Sequence, residues 1–153
     1  MNPDFSDMLS ALSDAGAEYL IVGAHALAAH GYPRATGDLD IWVKPSPGNA
    51  ARVWQAIEAF GAPLTNLSQD DLTTDDLVFQ IGVAPSRIDI LTGISGVGFD
   101  EAWAGRVTVR LAERDVPVLG REALIRNKRA AGRPRDLADV AELEAERPGD
   151  STR

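Results

Sequence analysis

YLIVGAHALAAHGYPRATGDLDIWV, Tyr19 to Val43, reads as two short strands joined by a glycine turn and a helix. Tyr19-Leu20-Ile21-Val22 is an apolar run bounded by Gly23, the pattern of a buried strand. Ala24 to His30 is rich in Ala and Leu and lacks β-branched residues, which predicts a short helix. Gly31-Tyr32-Pro33 ends it, because Gly accepts a left-handed cap and Pro commonly follows one. Gly37-Asp38-Leu39-Asp40-Ile41-Trp42-Val43 then alternates carboxylates with apolar residues. On a strand, Asp38 and Asp40 share one face, roughly 6.6 Å apart along the backbone, while Leu39, Ile41 and Val43 turn to a core. Like charges side by side on a strand cost stability unless a cation neutralises them.

Further along, Ser86-Arg87-Ile88-Asp89-Ile90-Leu91 is a second short apolar strand with a carboxylate at its centre. If the two strands are neighbours, Asp89 joins Asp38 and Asp40 around one hard cation or a pair. An all-oxygen donor set without cysteine suits Mg²⁺ or Mn²⁺, which take their remaining ligands from water and substrate phosphates.

A strand, glycine turn and helix, then Asp-x-Asp on a strand and a third Asp on a later one, resembles the DNA polymerase beta-like nucleotidyltransferase superfamily. VGAHALAAHGYPRATGDLDIWV resembles most closely its minimal branch, which includes toxins of bacterial toxin–antitoxin pairs. The match runs from about Tyr19 to Leu91 and, more weakly, from Lys128 to Asp139. The resemblance implies an α/β (α+β) fold, a mixed sheet with helices packed mainly on one side. It also implies transfer of a nucleoside monophosphate from a triphosphate to an acceptor, with release of pyrophosphate.

By the same resemblance Asp38, Asp40 and Asp89 are the catalytic and metal-binding residues, for two Mg²⁺ or Mn²⁺ ions, with Asp89 also helping to deprotonate the acceptor. Gly23 and the amides opening the Ala24 helix would cradle the β- and γ-phosphates. Arg34, Thr36 and Lys128 are further nucleotide-binding candidates. Asp136 and Asp139 match an acidic pair in the branch's last helix, and helix capping after Pro134 explains Asp136 equally well. Arg87 reads as a structural partner of Asp38 or Asp89. The family turn is Gly-Gly or Gly-Ser, whereas this chain has Gly23-Ala24; Ala supplies no hydroxyl and resists some conformations open to Gly.

Three readings compete. The leading one is a metal-dependent nucleotidyltransferase acting on an RNA end, a protein side chain or a small molecule, with a toxin held by an antitoxin as one version. A degenerate nucleotide-binding or regulatory module is the alternative, and a metal-dependent nuclease or phosphatase the third. The short chain favours a partner or a homodimer.

The whole chain sets outer bounds. Its 153 residues predict one domain over 1–147 with a frayed tail at 148–153. With no cysteine, disulfides and thiolate metal sites are excluded. Met1 to Asp7 shows no signal-peptide pattern and no apolar run approaches membrane-spanning length, so a cytoplasmic protein without membrane contact is expected. A net charge of −8 argues against a broad nucleic-acid footprint. The basic stretch Arg121 to Arg135 nevertheless remains a candidate for a triphosphate or a short RNA end.

Elsewhere the pattern is ordinary. Phe5 to Ala15 predicts an amphipathic helix capped by Asp4, and Asn49 to Phe60 a helix with Trp54 in the core. The acids of Leu64 to Asp76 read as a solvated loop, with a short helical turn at Asp71-Leu72. Leu77 to Val83 and the Asp89 strand predict an antiparallel hairpin. Thr92 to Gly98 lacks the Gly-Lys-Ser/Thr ending of a P-loop and reads as a connector. Arg106 to Leu111, a turn at Glu113-Arg114-Asp115, and an edge strand tolerating Pro117 follow, then helices over Gly120–Ala131 and Arg135–Glu146. His25 and His30 are five apart, so they do not form an i, i+4 metal pair.

Overall fold

The computed structural model describes residues 1–145, so the tail expected at 148–153 lies outside the described residues. The elements run α1 (Pro3–Asp14), β1 (Tyr19–Val22), α2 (Gly23–Ala29), β2 (Asp38–Val43), α3 (Pro47–Phe60), a 3-10 turn (Gln69–Thr73), β3 (Val78–Ile81), β4 (Arg87–Leu91), α4 (Phe99–Ala104), β5 (Val107–Leu111), β6 (Arg114–Val118), α5 (Arg121–Ala131) and α6 (Pro134–Ala145). The strands form one mixed sheet in the order β3-β4-β2-β1-β6-β5. Neighbours β2/β4 and β1/β6 are parallel, and the other pairs are antiparallel, including the β3–β4 hairpin.

Strand alternation sorts the two faces. Leu39, Ile41 and Val43 of β2, Ile88 and Ile90 of β4, and Tyr19 and Ile21 of β1 are all buried and share one face through the register. The Ser13 hydroxyl of α1 meets the Tyr19 hydroxyl at 3.2 Å, which puts α1 on this face. Helix α3 packs along α1 in the same layer. Burying each aliphatic side chain of this set contributes roughly 1.5–3 kcal/mol, so the layer anchors the strands that carry the aspartates. On the other face Trp42 follows Asp38 and Asp40 and stacks edge-on against Phe99 of α4.

Several local expectations change. The α1 cap is Asn2, whose side chain accepts from the Asp4 amide, rather than Asp4 itself. Helix α3 starts at Pro47 under a Ser46 cap, two residues earlier than expected, because Pro is pre-organised for the first helical position. The turn between β5 and β6 is Ala112-Glu113, both at positive φ (51° and 64°), the tight hairpin geometry that matches strand twist. Arg114 and Asp115 are therefore strand residues. Strand β6 is interior, between β1 and β5, and β5 is the edge. The Leu119 amide donates to Ile21 of β1, so the missing N–H at 117 also faces β1, and Pro117 is tolerated because β1 does not pair with β6 at that position. The β1/β6 ladder is correspondingly reduced to the single pair Ile21 and Val118.

Candidate functional site

The parallel β2/β4 register sets Asp38 opposite Arg87 and Asp40 opposite Asp89. All four side chains therefore emerge on the same face, beside the C-terminal end of β1. There the chain turns through Gly23 at φ 68°. A Cβ on Gly23 would sit 2.2 Å from Asp40 Oδ2, so only glycine lets the carboxylate tuck against the turn. Ala24 is different. It lies in α2 and has no positive φ, so its departure from the family pattern imposes no backbone cost. Only a hydroxyl is missing.

The carboxylates perturb one another. Burial, then the charges of Asp89 and Asp38, push the Asp40 carboxyl from 3.8 up to about 6, with a side-chain hydrogen bond to Asp89 adding to the shift and Arg87 opposing it. Arg87 donates to Asp38 Oδ2 at 2.7 Å and to Asp89 Oδ2 at 3.2 Å. Its Nε lies 3.2 Å from Asp89 Oδ1, close enough for an ion pair but not aligned as a hydrogen bond. Asp89 Oδ1 is thus buried without a donor.

Two lobes of a cleft meet at Gly23, Asp40, Asn127 and Arg133. The smaller, about 290 Å³, is polar and is lined by Ala24, Arg34, Thr36, Asp38, Lys128 and Arg135 among others. The larger, about 650 Å³, is bordered by Leu91, Asp76, Gly93, Ile94, Ser95 and Gly96. The glycine-rich connector forms its wall because Asn127 of α5 donates to the Ser95 carbonyl at 3.0 Å. A Cβ on Gly96 would lie 2.5 Å from that of Ala130.

All the expected phosphate-binding residues, Gly23, Ala24, Arg34, Thr36 and Lys128, therefore border the smaller lobe, with Asp38 and Asp40. Asp89 borders neither lobe, lying under Arg87. Thr36 Oγ1 accepts from the Asp38 amide at 3.1 Å and so sets the entry into β2. Arg34 and Lys128 are already engaged. Arg34 makes a two-pronged contact with Asp139 at 2.6 and 3.2 Å, and Lys128 approaches the same carboxylate at 2.9 Å. Asp136, 1% exposed, receives Arg133 through both side chain and amide; it is at once a helix cap and an ion-pair partner. Burial raises the Asp139 pKa, but hydrogen bonds from Arg34 and Lys128 outweigh it and leave the carboxyl below its ordinary range. The Arg133 hydrogen bond does the same for Asp136 against burial.

The histidines serve the scaffold. His30 Nε2 bonds the Leu119 carbonyl at 2.8 Å, tying the end of α2 to the strand before α5. His25 packs edge-on against Phe5, and burial lowers its pKa against a hydrogen bond to the Asp38 backbone. Most of the basic stretch is neutralised within the fold: Arg126 pairs with Glu101, Arg129 with Glu144, Arg121 with Glu122, Arg133 with Asp136. Asn127 is a cleft residue that sequence reading did not single out, and Arg133 and Arg135 entered it only as members of the basic stretch. Nothing in their spacing says which turn of α5, or which end of α6, meets the carboxylates.

Among the described residues no three acidic or histidine side chains stand as a ready-made metal cluster. The donors nevertheless fit a hard divalent cation. They are all carboxylate oxygens, they repel one another, and one buried oxygen, Asp89 Oδ1, lacks a donor.

No protein-family model matches this sequence, and no curated protein matches it. Solved structures do. One is a Thermotoga maritima protein provisionally assigned as a nucleotidyltransferase, TM1012, with TM-score 0.54 and 17% identity over 100% of this chain and 96% of that one. Another is the lincosamide antibiotic adenylyltransferase LnuA, lincomycin-bound, with TM-score 0.57 and 13% identity over 95% of this chain and 97% of that one. At these identities the likeness is one of fold, and the chain has the nucleotidyltransferase fold. No helix among the described residues is long and apolar enough to cross a membrane.

Proposed function

We propose that this chain uses the nucleotidyltransferase fold for metal-dependent transfer of a nucleoside monophosphate from a triphosphate to a small-molecule acceptor. The observation that carries the reading is the seating of Asp40 against the Gly23 turn, beside Asp38 and Asp89, where two cleft lobes meet.

Asp38, Asp40 and Asp89 would hold Mg²⁺ or Mn²⁺, which supplies neutralisation of the polyphosphate charge and of the attacking and leaving oxygens. The triphosphate belongs in the smaller lobe. There the opening amides of α2 have no side-chain cap, and Arg34, Lys128 and Arg133 are held in place by two buried carboxylates. Arg135 borders the same lobe and makes no ion pair among the described residues. The acceptor occupies the larger lobe. Asp89, which reaches the cleft only when Arg87 no longer covers it, would take the acceptor's hydroxyl proton, the freed oxygen would bond to the α-phosphorus, and pyrophosphate would leave toward Arg34 and Lys128.

A small acceptor is favoured over RNA for two reasons. The larger lobe is closed on one side by the Ser95–Asn127 contact, and the basic stretch that would meet a nucleic acid is largely ion-paired in a chain of net charge −8. LnuA, an antibiotic adenylyltransferase by name, lends the same direction. An RNA end or a protein side chain, in a toxin held by an antitoxin or in a homodimer of a cytoplasmic protein, is the other version of this chemistry. A degenerate nucleotide-binding module is favoured by one observation, the guanidinium of Arg87 among the aspartates.

The test is incubation with Mg²⁺ and each α-labelled nucleotide, offering hydroxylated small molecules, total RNA and the protein itself, beside Asp38→Ala and Asp89→Ala. Label on an acceptor, lost in both variants, supports the transferase and names the acceptor class. A folded chain that binds Mg-nucleotide and labels nothing is the module.

A further inference from the structure

Arg87 stands on β4 two residues before Asp89, so period-two alternation returns its side chain to the aspartate face, directly across from Asp38. Its guanidinium reaches both Asp38 and Asp89. The fit is incomplete, because Nε and Asp89 Oδ1 are both buried and neither finds an aligned partner although they lie 3.2 Å apart. An aligned two-pronged guanidinium–carboxylate pair holds hard; this one leaves an acceptor oxygen unused. The Arg87 side chain is also 34% exposed, against 13% for Lys128, so it has solvent to move into.

We propose that Arg87 is a resident counter-ion that a divalent cation displaces from Asp38 and Asp89, and that it thereby sets the cation affinity of the site. The inference rests on the reading of these aspartates as cation ligands. Without a cation the guanidinium holds Asp38 and Asp89 together, one from each strand. It lies over Asp89, which borders neither lobe while Arg87 stays in place. Departure of the side chain exposes Asp89 to the cleft and frees oxygens on both strands at once. Weak binding of a bare cation and stronger binding of one arriving with a polyphosphate follow, since only the latter brings enough additional contacts to offset the lost ion pairs.

The experiment uses the full chain and Mn²⁺ alone, counting free Mn²⁺ by its electron paramagnetic resonance signal, with melting curves in EDTA and in Mn²⁺. Arg87→Met is expected to bind Mn²⁺ about tenfold more tightly than the parent, to melt lower in EDTA, and to gain more from Mn²⁺. Arg87→Lys, a smaller cation without the fork, is expected to fall between them, and decides the matter if Arg87→Met does not fold in EDTA. Unchanged or weaker Mn²⁺ binding in a folded variant overturns the inference while leaving the aspartates as ligands. Absence of Mn²⁺ binding in parent and variants alike overturns both.

Discussion

Asp40→Asn is expected to make the protein more stable at neutral pH while removing a cation ligand. The folded carboxyl is pushed from 3.8 up to about 6, by burial first and then by Asp89 and Asp38. Below the unfolded value both states hold the proton and the group contributes nothing. Between about pH 4 and pH 6 only the folded state holds it, so the folded state binds more protons and stability falls as pH rises. Above about pH 6 the full penalty stands, about 3 kcal/mol from a shift of roughly two units at 1.36 kcal/mol each. Part of the group reaches water, and screening brings this nearer about 1–2 kcal/mol. Asparagine removes the charge and keeps the size.

Urea denaturation of parent and variant in EDTA measures the effect at about pH 4 and about pH 7.5. Comparing the two proteins cancels the other titrating groups, including Asp136 and Asp139, whose lowered pKa values act in the opposite direction. The stability gain should be small at the acid end and reach about 1–2 kcal/mol at the neutral end. Excess Mg²⁺ at neutral pH should shrink it, by stabilising the parent alone. A gain that is the same at both pH values would refute the like-charge account of this site.

Three further outcomes follow from the geometry. Gly23→Ala forces a side chain into φ 68° and against Asp40 Oδ2, so a loss of at least about 1–2 kcal/mol in urea denaturation, together with weakened Mn²⁺ binding, is expected; a near-neutral variant with intact binding would contradict the seating of Asp40. Asp139→Ala strands Lys128 and Arg34 without their carboxylate and should cost about 3 kcal/mol. Its pH signature distinguishes it: the parent's advantage is present above the ordinary carboxylate range and disappears as pH falls through the lowered Asp139 value, and a pH-independent loss would mean packing alone. Ala24→Ser restores a hydroxyl at a helical position that needs no unusual backbone; calorimetry with Mg-nucleotide should show about fivefold tighter binding, one net hydrogen bond of about 1 kcal/mol, and unchanged affinity would place the phosphates elsewhere.

Local regularities were legible because they repeat over a few residues. Period-two alternation placed Asp38 and Asp40 on one face and Leu39, Ile41 and Val43 on the other, and the apolar run into Gly23 marked β1 and its turn. The position of Pro117 misled, since a proline tolerated in a strand usually marks an edge, and only the one-residue ladder to β1 explains an interior one. The basic stretch was visible as charge, yet its partners Glu101 and Glu144 come from another part of the chain and from across a helix break; only Arg133 and Asp136 form a local pair.

From the sequence alone came the Gly23 turn and the shared strand face of Asp38 and Asp40, because backbone geometry and side-chain periodicity act over short distances, while the nucleotidyltransferase fold and the grouping of Asp89 with them came from the family resemblance those residues carry. Tertiary structure alone decided that Asp40 and Asp89 are partners, that Arg87 takes both Asp38 and Asp89 where the sequence had offered one or the other, and that Asp139 holds Arg34 and Lys128 together. Those are strand-register and helix-packing facts. They depend on how faces far apart in the chain bury one another, and no local pattern encodes which surface charge will meet which.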